Sequence, residues 1–167
     1  MNKIICFSAS SKEAYNNFIN TTTKPIKDEL ISEQITSKCD EDYFLWAMRY
    51  SKKNESLWKK INKGDYALFY RNKKFIGYGE ILGTFLSEEL ASKYYNNIIY
   101  KLIIVLKSVK VMEFSREKMW KLFKYSDVAR IQGMMIPNLV VQKQLLNEHN
   151  NIANLINHIL DLQENIS

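Results

Sequence analysis

Two cysteines, two histidines, two prolines and five glycines in 167 residues leave little material for several kinds of protein. Cys6 and Cys39 provide no disulfide framework, and with His149 and His158 they form no cluster at metal-ligand spacing. The chain has no Gly-x-Ser-x-Gly elbow, no phosphate-binding loop, no His-Glu-x-x-His and no glycine-rich dinucleotide fingerprint. The common hydrolase, nucleotide triphosphatase and metallopeptidase signatures are therefore missing, and no cofactor or metal is expected. No apolar run reaches the 18 or so residues that span a bilayer. The opening MNKIICFSAS is too short in apolar residues for a signal peptide. The expectation is a cytoplasmic binding module that does not touch membranes and is not an enzyme.

What is present is an ordinary globular composition, 46% apolar and 25% charged, in a length suited to one domain with a real core. The net charge of +6 is unevenly placed. Between Arg49 and Lys74 nine basic residues face only Glu55 and Asp65, and the remainder of the chain is close to neutral. Such a zone reads either as a phosphate-binding footprint or as the solvated face of a lysine-rich protein.

Local patterns predict an α+β domain with a small curved sheet of five or six strands and helices before, within and after it. Ser10 and Glu13 have capping-box spacing ahead of Ala14, Tyr15, Phe18 and Ile19. Thr23-Lys24-Pro25 predicts the start of a second helix, so residues 1–38 read as a helical extension. Cys39-Asp40-Glu41-Asp42 is an acidic break. A core over 42–140 then begins with a strand, Tyr43 to Tyr50, with Phe44, Trp46, Met48 and Tyr50 on one face. Asn54 is the expected cap of a short helix carrying Leu57, Trp58 and Ile61. Asn62-Lys63-Gly64-Asp65 turns into a strand, and Arg71-Asn72-Lys73-Lys74 reads as a four-residue hairpin turn. Gly77 and Gly79 predict tight curvature or close backbone approach in the returning strand. Ile98 to Met112 reads as one or two buried strands, and Ser115 to Lys124 as a helix that places Trp120 in the core. Residues 141–167 read as a C-terminal amphipathic helix, in which both histidines take ordinary helical positions.

The stretch WAMRYSKKNESLW, 46 to 58, sets two tryptophans around basic and polar residues. Aromatic faces stack on any base, and lysines track a phosphate backbone. Trp46, Tyr50 and Trp58 are thus candidate walls of a base-binding pocket, with Ser51 and Asn54 between them to supply hydrogen bonds. The competing reading keeps Trp46 and Trp58 in the core, where most tryptophans are found.

The segment from Tyr43 to Ile81 resembles the opening of EVE and YTH domains of the PUA-like superfamily. The elements that carry the likeness are Ser51, Trp58, Gly64-Asp65, Tyr70 and the run Gly77 to Ile81. ARIQGMMIPN, 129 to 138, is similar to a late segment of EVE-type domains. The resemblance implies a PUA-like curved barrel that recognises a modified base, as in the N-terminal specificity domains of McrBC-type modification-dependent restriction systems. It implies base flipping into an aromatic pocket and DNA as partner, with RNA as the alternative. A GTP-driven motor and a nuclease subunit would be fused or associated. Arg49, Lys52, Lys53, Lys73 and Lys74 are then the expected phosphate contacts, and Arg130 and Gln132 the candidates to fill the gap left in the duplex. Two further readings stand beside it, an ASCH-like nuclease and a protein-interaction module that uses the amphipathic helix 141 to 162.

Overall fold

The computed structural model describes residues 1–35, 42–126 and 129–164. Six strands form one curled half-barrel sheet: β1 (Ile4–Ser8), β2 (Phe44–Met48), β3 (Tyr66–Arg71), β4 (Lys74–Leu86), β5 (Leu102–Ser115) and β6 (Met134–Met135), in the order β2-β5-β4-β3-β1-β6. β1 runs parallel to β3, and every other neighbouring pair is antiparallel. Among the described residues seven α-helices surround it: α1 (Lys12–Asn17), α2 (Glu29–Gln34), α3 (Lys52–Trp58), α4 (Glu88–Tyr95), α5 (Arg116–Leu122), α6 (Leu139–His149) and α7 (Ile152–Glu164). The expected α+β architecture is present.

Strand alternation sorts the core into three groups. Ile5, Phe7, Trp46, Met48, Ala67, Phe69, Ile104 and Leu106 point inward and meet Phe18 and Trp58. On the other side, Ile4, Cys6, Leu68 and Phe75 pack against Trp120 and α7. Leu45, Ala47, Ile103 and Val105 pack against α2 and α4. Trp120 is fully buried, as its helical pattern predicts, and its Nε1 donates to the Ala129 carbonyl at 3.0 Å.

The N-terminal segment departs from the expected helical extension. Ile4-Ile5-Cys6-Phe7 is an apolar run buried on both faces, which suits a strand inside a sheet. β6 pairs only with Cys6 and Phe7, so the start of β1 needs other partners. Gln142, fully buried, supplies them: its Oε1 accepts from the Ile4 amide at 2.8 Å and its Nε2 donates to the Ile4 carbonyl at 3.1 Å. Asp65 anchors the residue before, accepting from the Lys3 amide at 2.9 Å and the Lys3 ammonium at 2.6 Å. The turn that delivers Asp65 requires Gly64, whose φ is +91° and which lacks the Cβ that disfavours this region.

Several boundaries also move. Ser11, not Ser10, caps α1, accepting from the Ala14 amide at 3.0 Å. Asp28 caps the second helix, which starts at Glu29 rather than near Pro25. Ser51, not Asn54, caps α3. The β3–β4 turn has two central residues, Asn72 and Lys73, at φ 50° and 64°, the positive values that match the twist of a tight hairpin. The C-terminal segment is two helices, α6 and α7, parted at Asn150 with φ 70°. Cys39 to Glu41 of the acidic break lie outside the described residues. Gly77 shows the close approach its pattern predicts, since a Cβ there would stand 2.9 Å from Phe18 Cζ and 3.0 Å from the Lys110 carbonyl oxygen.

Candidate functional site

The strand, serine cap and helix order occurs twice, as β1–Ser11–α1 and β2–Ser51–α3. Three strands separate β1 from β2 in the sheet, yet its curl brings Phe7 and Trp46 to a ring separation of 6.4 Å. Between the two units lies a cleft of ≈ 180 Å³. Phe7 and Ser8 line it from β1, and Ser11, Glu13, Ala14 and Asn17 from α1. Trp46 to Arg49, Asn54, Tyr100 and Gly133 complete it.

Its apolar base is rigidly packed. Trp46 is 6% exposed and meets Phe69 edge-on at 5.1 Å. The polar wall is a connected set. The buried Tyr100 hydroxyl donates to Glu13 Oε1, while Arg49 NH1 lies 3.6 Å from Glu13 Oε2. Burial, and then the hydrogen bond and charge of Glu13, push the Tyr100 phenol up to about 12, with Arg49 and the Asn17 amide acting the other way. The Arg49–Glu13 pair is more than half exposed on both sides. Such pairs contribute little stability, so its significance lies in which groups it holds at the cleft. Asn54 fixes the strand end, donating from Nδ2 to the Arg49 carbonyl at 2.8 Å.

The structure divides the residues singled out by sequence. Trp46, Arg49 and Asn54 share the cleft. Trp58 does not line it: the ring is buried beneath α3 and its Nε1 donates to the Ile103 carbonyl at 3.1 Å. Tyr50 is exposed, with the Lys101 ammonium 4.5 Å from its ring centre. Ser51 is occupied as a cap. Lys52, Lys53, Lys73 and Lys74 are exposed, and Lys74 pairs with Glu113 at 3.2 Å. Arg130 and Gln132 are exposed beside the cleft residue Gly133.

Phe7, Ser8, Ser11, Glu13, Asn17 and Tyr100 were not expected at a site. For Glu13 the cause is the cap. With Ser10 as cap, Glu13 would fold back on the helix start as a capping-box partner. With Ser11 as cap, Ala14 takes that place and the carboxylate is left to the cleft.

A second hollow of ≈ 240 Å³ lies between the sheet and α7, lined among others by Tyr66, Tyr78, Glu80, Lys107 and Lys110. Its Glu80–Lys107 pair, at 3.5 Å, is internal. Among the described residues no group of three or more His, Cys, Asp or Glu side chains is placed to hold a metal ion. No helix among them is long and apolar enough to cross a membrane.

By sequence, no protein-family model matches the chain and no curated protein does. Solved structures match it by shape. The N-terminal domain of Thermococcus gammatolerans McrB bound to m5C DNA superposes with a TM-score of 0.63 at 16% identity, over 88% of this chain and 96% of that one. The chain shares the fold of that domain. The Pho92 YTH domain in complex with m6A matches at 0.50 and 14% identity, over 88% of this chain and 85% of that one. In this chain the sheet opens with β1, ahead of the 43–81 segment that carries the sequence resemblance.

Proposed function

We propose that this chain reads a modified base in DNA, taking the flipped nucleotide into the cleft between β1–α1 and β2–α3. The observation that carries the reading is the cleft itself: an aromatic base formed by Phe7 and Trp46, a polar wall, and ≈ 180 Å³ of space. That volume lies below the range suited to drug-sized ligands and is in keeping with one base. The m5C DNA bound by the McrB domain of like fold supports it.

Trp46 supplies the stacking surface, and Arg49 and Asn54 lie against the base edge. Tyr50 and Ser51 stand at the rim, and Trp58 supports the site from the core. Lys52, Lys53, Lys73 and Lys74 contact phosphates. Arg130 and Gln132 precede Gly133 and enter the space the base leaves. Extrusion costs a few kcal/mol, which stacking and base-edge hydrogen bonds recover. The setting we propose is a McrBC-type restriction system, with motor and nuclease functions on other segments or subunits.

A fluorescence titration against one duplex in four versions tests this: unmodified, N6-methyladenine, 5-methylcytosine and 5-hydroxymethylcytosine. Tighter binding to one modified version is expected. Equal binding to all four would reduce the protein to a non-specific DNA clamp and sink the proposal. The YTH likeness favours RNA as the second reading. It predicts a gain when ribose replaces deoxyribose at the bound nucleotide, since the 2′-hydroxyl distinguishes the two.

A further inference from the structure

We infer that Glu13, set beside Arg49 and held by Tyr100, makes the cleft selective for bases whose exocyclic amine stands next to a ring-nitrogen acceptor, cytosine or adenine, over the keto bases thymine and uracil. This rests on the proposed base-reading function and specifies its substrate class. An ionised carboxylate only accepts hydrogen bonds, and a guanidinium only donates them. Glu13 and Arg49 therefore place an acceptor next to a donor on one wall of the cleft. A flipped base is read along its Watson–Crick edge. Cytosine offers there an amine donor beside a ring-nitrogen acceptor, and adenine does the same. Thymine and uracil offer the reverse order, setting a carbonyl oxygen against the carboxylate.

The wall is built to keep its orientation. Tyr100 is 6% exposed and its hydroxyl donates to Glu13 Oε1 from the buried side. Tyr95 packs against it, tilted by 30° with ring centres 5.3 Å apart, so the phenol has little room to turn away. One oxygen of Glu13 is thereby engaged from below and the other lies near Arg49, which leaves lone pairs for a ligand donor. A bidentate edge contact of this kind discriminates by about 1–3 kcal/mol, or roughly five- to 150-fold.

The test compares bases that share a 5-methyl group and differ in the amine. Single-stranded oligonucleotides carrying one 5-methylcytosine or one thymine at the same position remove differences in pairing. A second pair carries adenine or hypoxanthine. Wild-type protein is expected to favour the amine member of at least one pair by five-fold or more. Glu13→Gln, whose amide can turn either donor or acceptor to the ligand, should bring that ratio near one. Glu13 is exposed, so the variant is expected to fold, which a thermal melt checks. A wild-type ratio near one in both pairs, or a ratio that survives Glu13→Gln, overturns the inference. The base-reading proposal is judged separately, by 5-methylcytosine against unmodified cytosine and N6-methyladenine against adenine in the same oligonucleotides. Methyl preference without amine preference sinks the Glu13 assignment alone. Amine preference without methyl preference sinks modification reading and leaves Glu13 in place.

Discussion

Trp46 and Trp58 are buried almost equally, at 6% and 7% exposure, and both join the inner core of the half-barrel. Their surroundings nevertheless give them different work. Trp46 lies at the middle of β2 and lines the cleft, with Phe7 and Phe69 around it. Trp58 closes α3 against β5, and its one polar atom is spent on the Ile103 carbonyl. The degree of burial does not separate an indole that serves a site from one that holds a helix. The position relative to the cleft does.

The largest effect that tests this contrast is on stability. Trp58→Ala removes a buried aromatic ring and should cost about 3–5 kcal/mol, read from urea denaturation. Trp58→Phe keeps most of the packing but leaves the Ile103 carbonyl without its donor, at about 1–2 kcal/mol. In Trp58→Phe the ratio of affinities for modified and unmodified DNA should not change. A collapsed ratio with the fold intact would move Trp58 into the site.

Trp46→Phe should act the other way. The ring system stays aromatic and the core stays filled in large part, so the protein folds. Stacking area on the base is lost, and affinity for the modified duplex should drop by about 1 kcal/mol, roughly five-fold. If Trp46→Phe binds as the wild type does, the cleft is not where the base goes.

How much of this could be read from sequence follows from the range of the interactions. The strands from Tyr43 to Phe85 show alternation, a glycine–aspartate turn and a tight hairpin, all of them local signals, and they were legible with errors of a residue or two. β1 was not. Its apolar run Ile4 to Phe7 is short, and its pairings with β3 and with Gln142 span more than 60 residues of chain. The run itself, bounded by Ser8 and Ser10, was the available signal for a buried strand. Half of the cleft went unseen with it, because Glu13 and Asn17 face Arg49 and Tyr100 only once the sheet curls. The basic zone, by contrast, needs no fold to be noticed. The break at Asn150 was hidden because apolar spacing continues on both sides of it.

The cleft also leaves a mark on the pH dependence of stability, the smallest of the three effects. A free tyrosine titrates near 10, and in the folded chain burial and Glu13 push Tyr100 up to about 12. The folded protein thus holds a proton that the unfolded chain releases. This contribution to stability is complete below pH 10 and is lost as the pH rises through about 12. Tyr95, whose phenol burial pushes up strongly, adds a slope of the same sign. Tyr100→Phe should therefore flatten the alkaline fall in stability without abolishing it, while Trp58→Phe, more costly at neutral pH, should leave its steepness unchanged. Urea midpoints measured from pH 9 to 12 separate the two. If Tyr100→Phe and wild type lose stability at the same rate, neither burial nor Glu13 holds the phenol's proton above the ordinary tyrosine range, and the wall of the cleft is looser than its packing and hydrogen bond indicate.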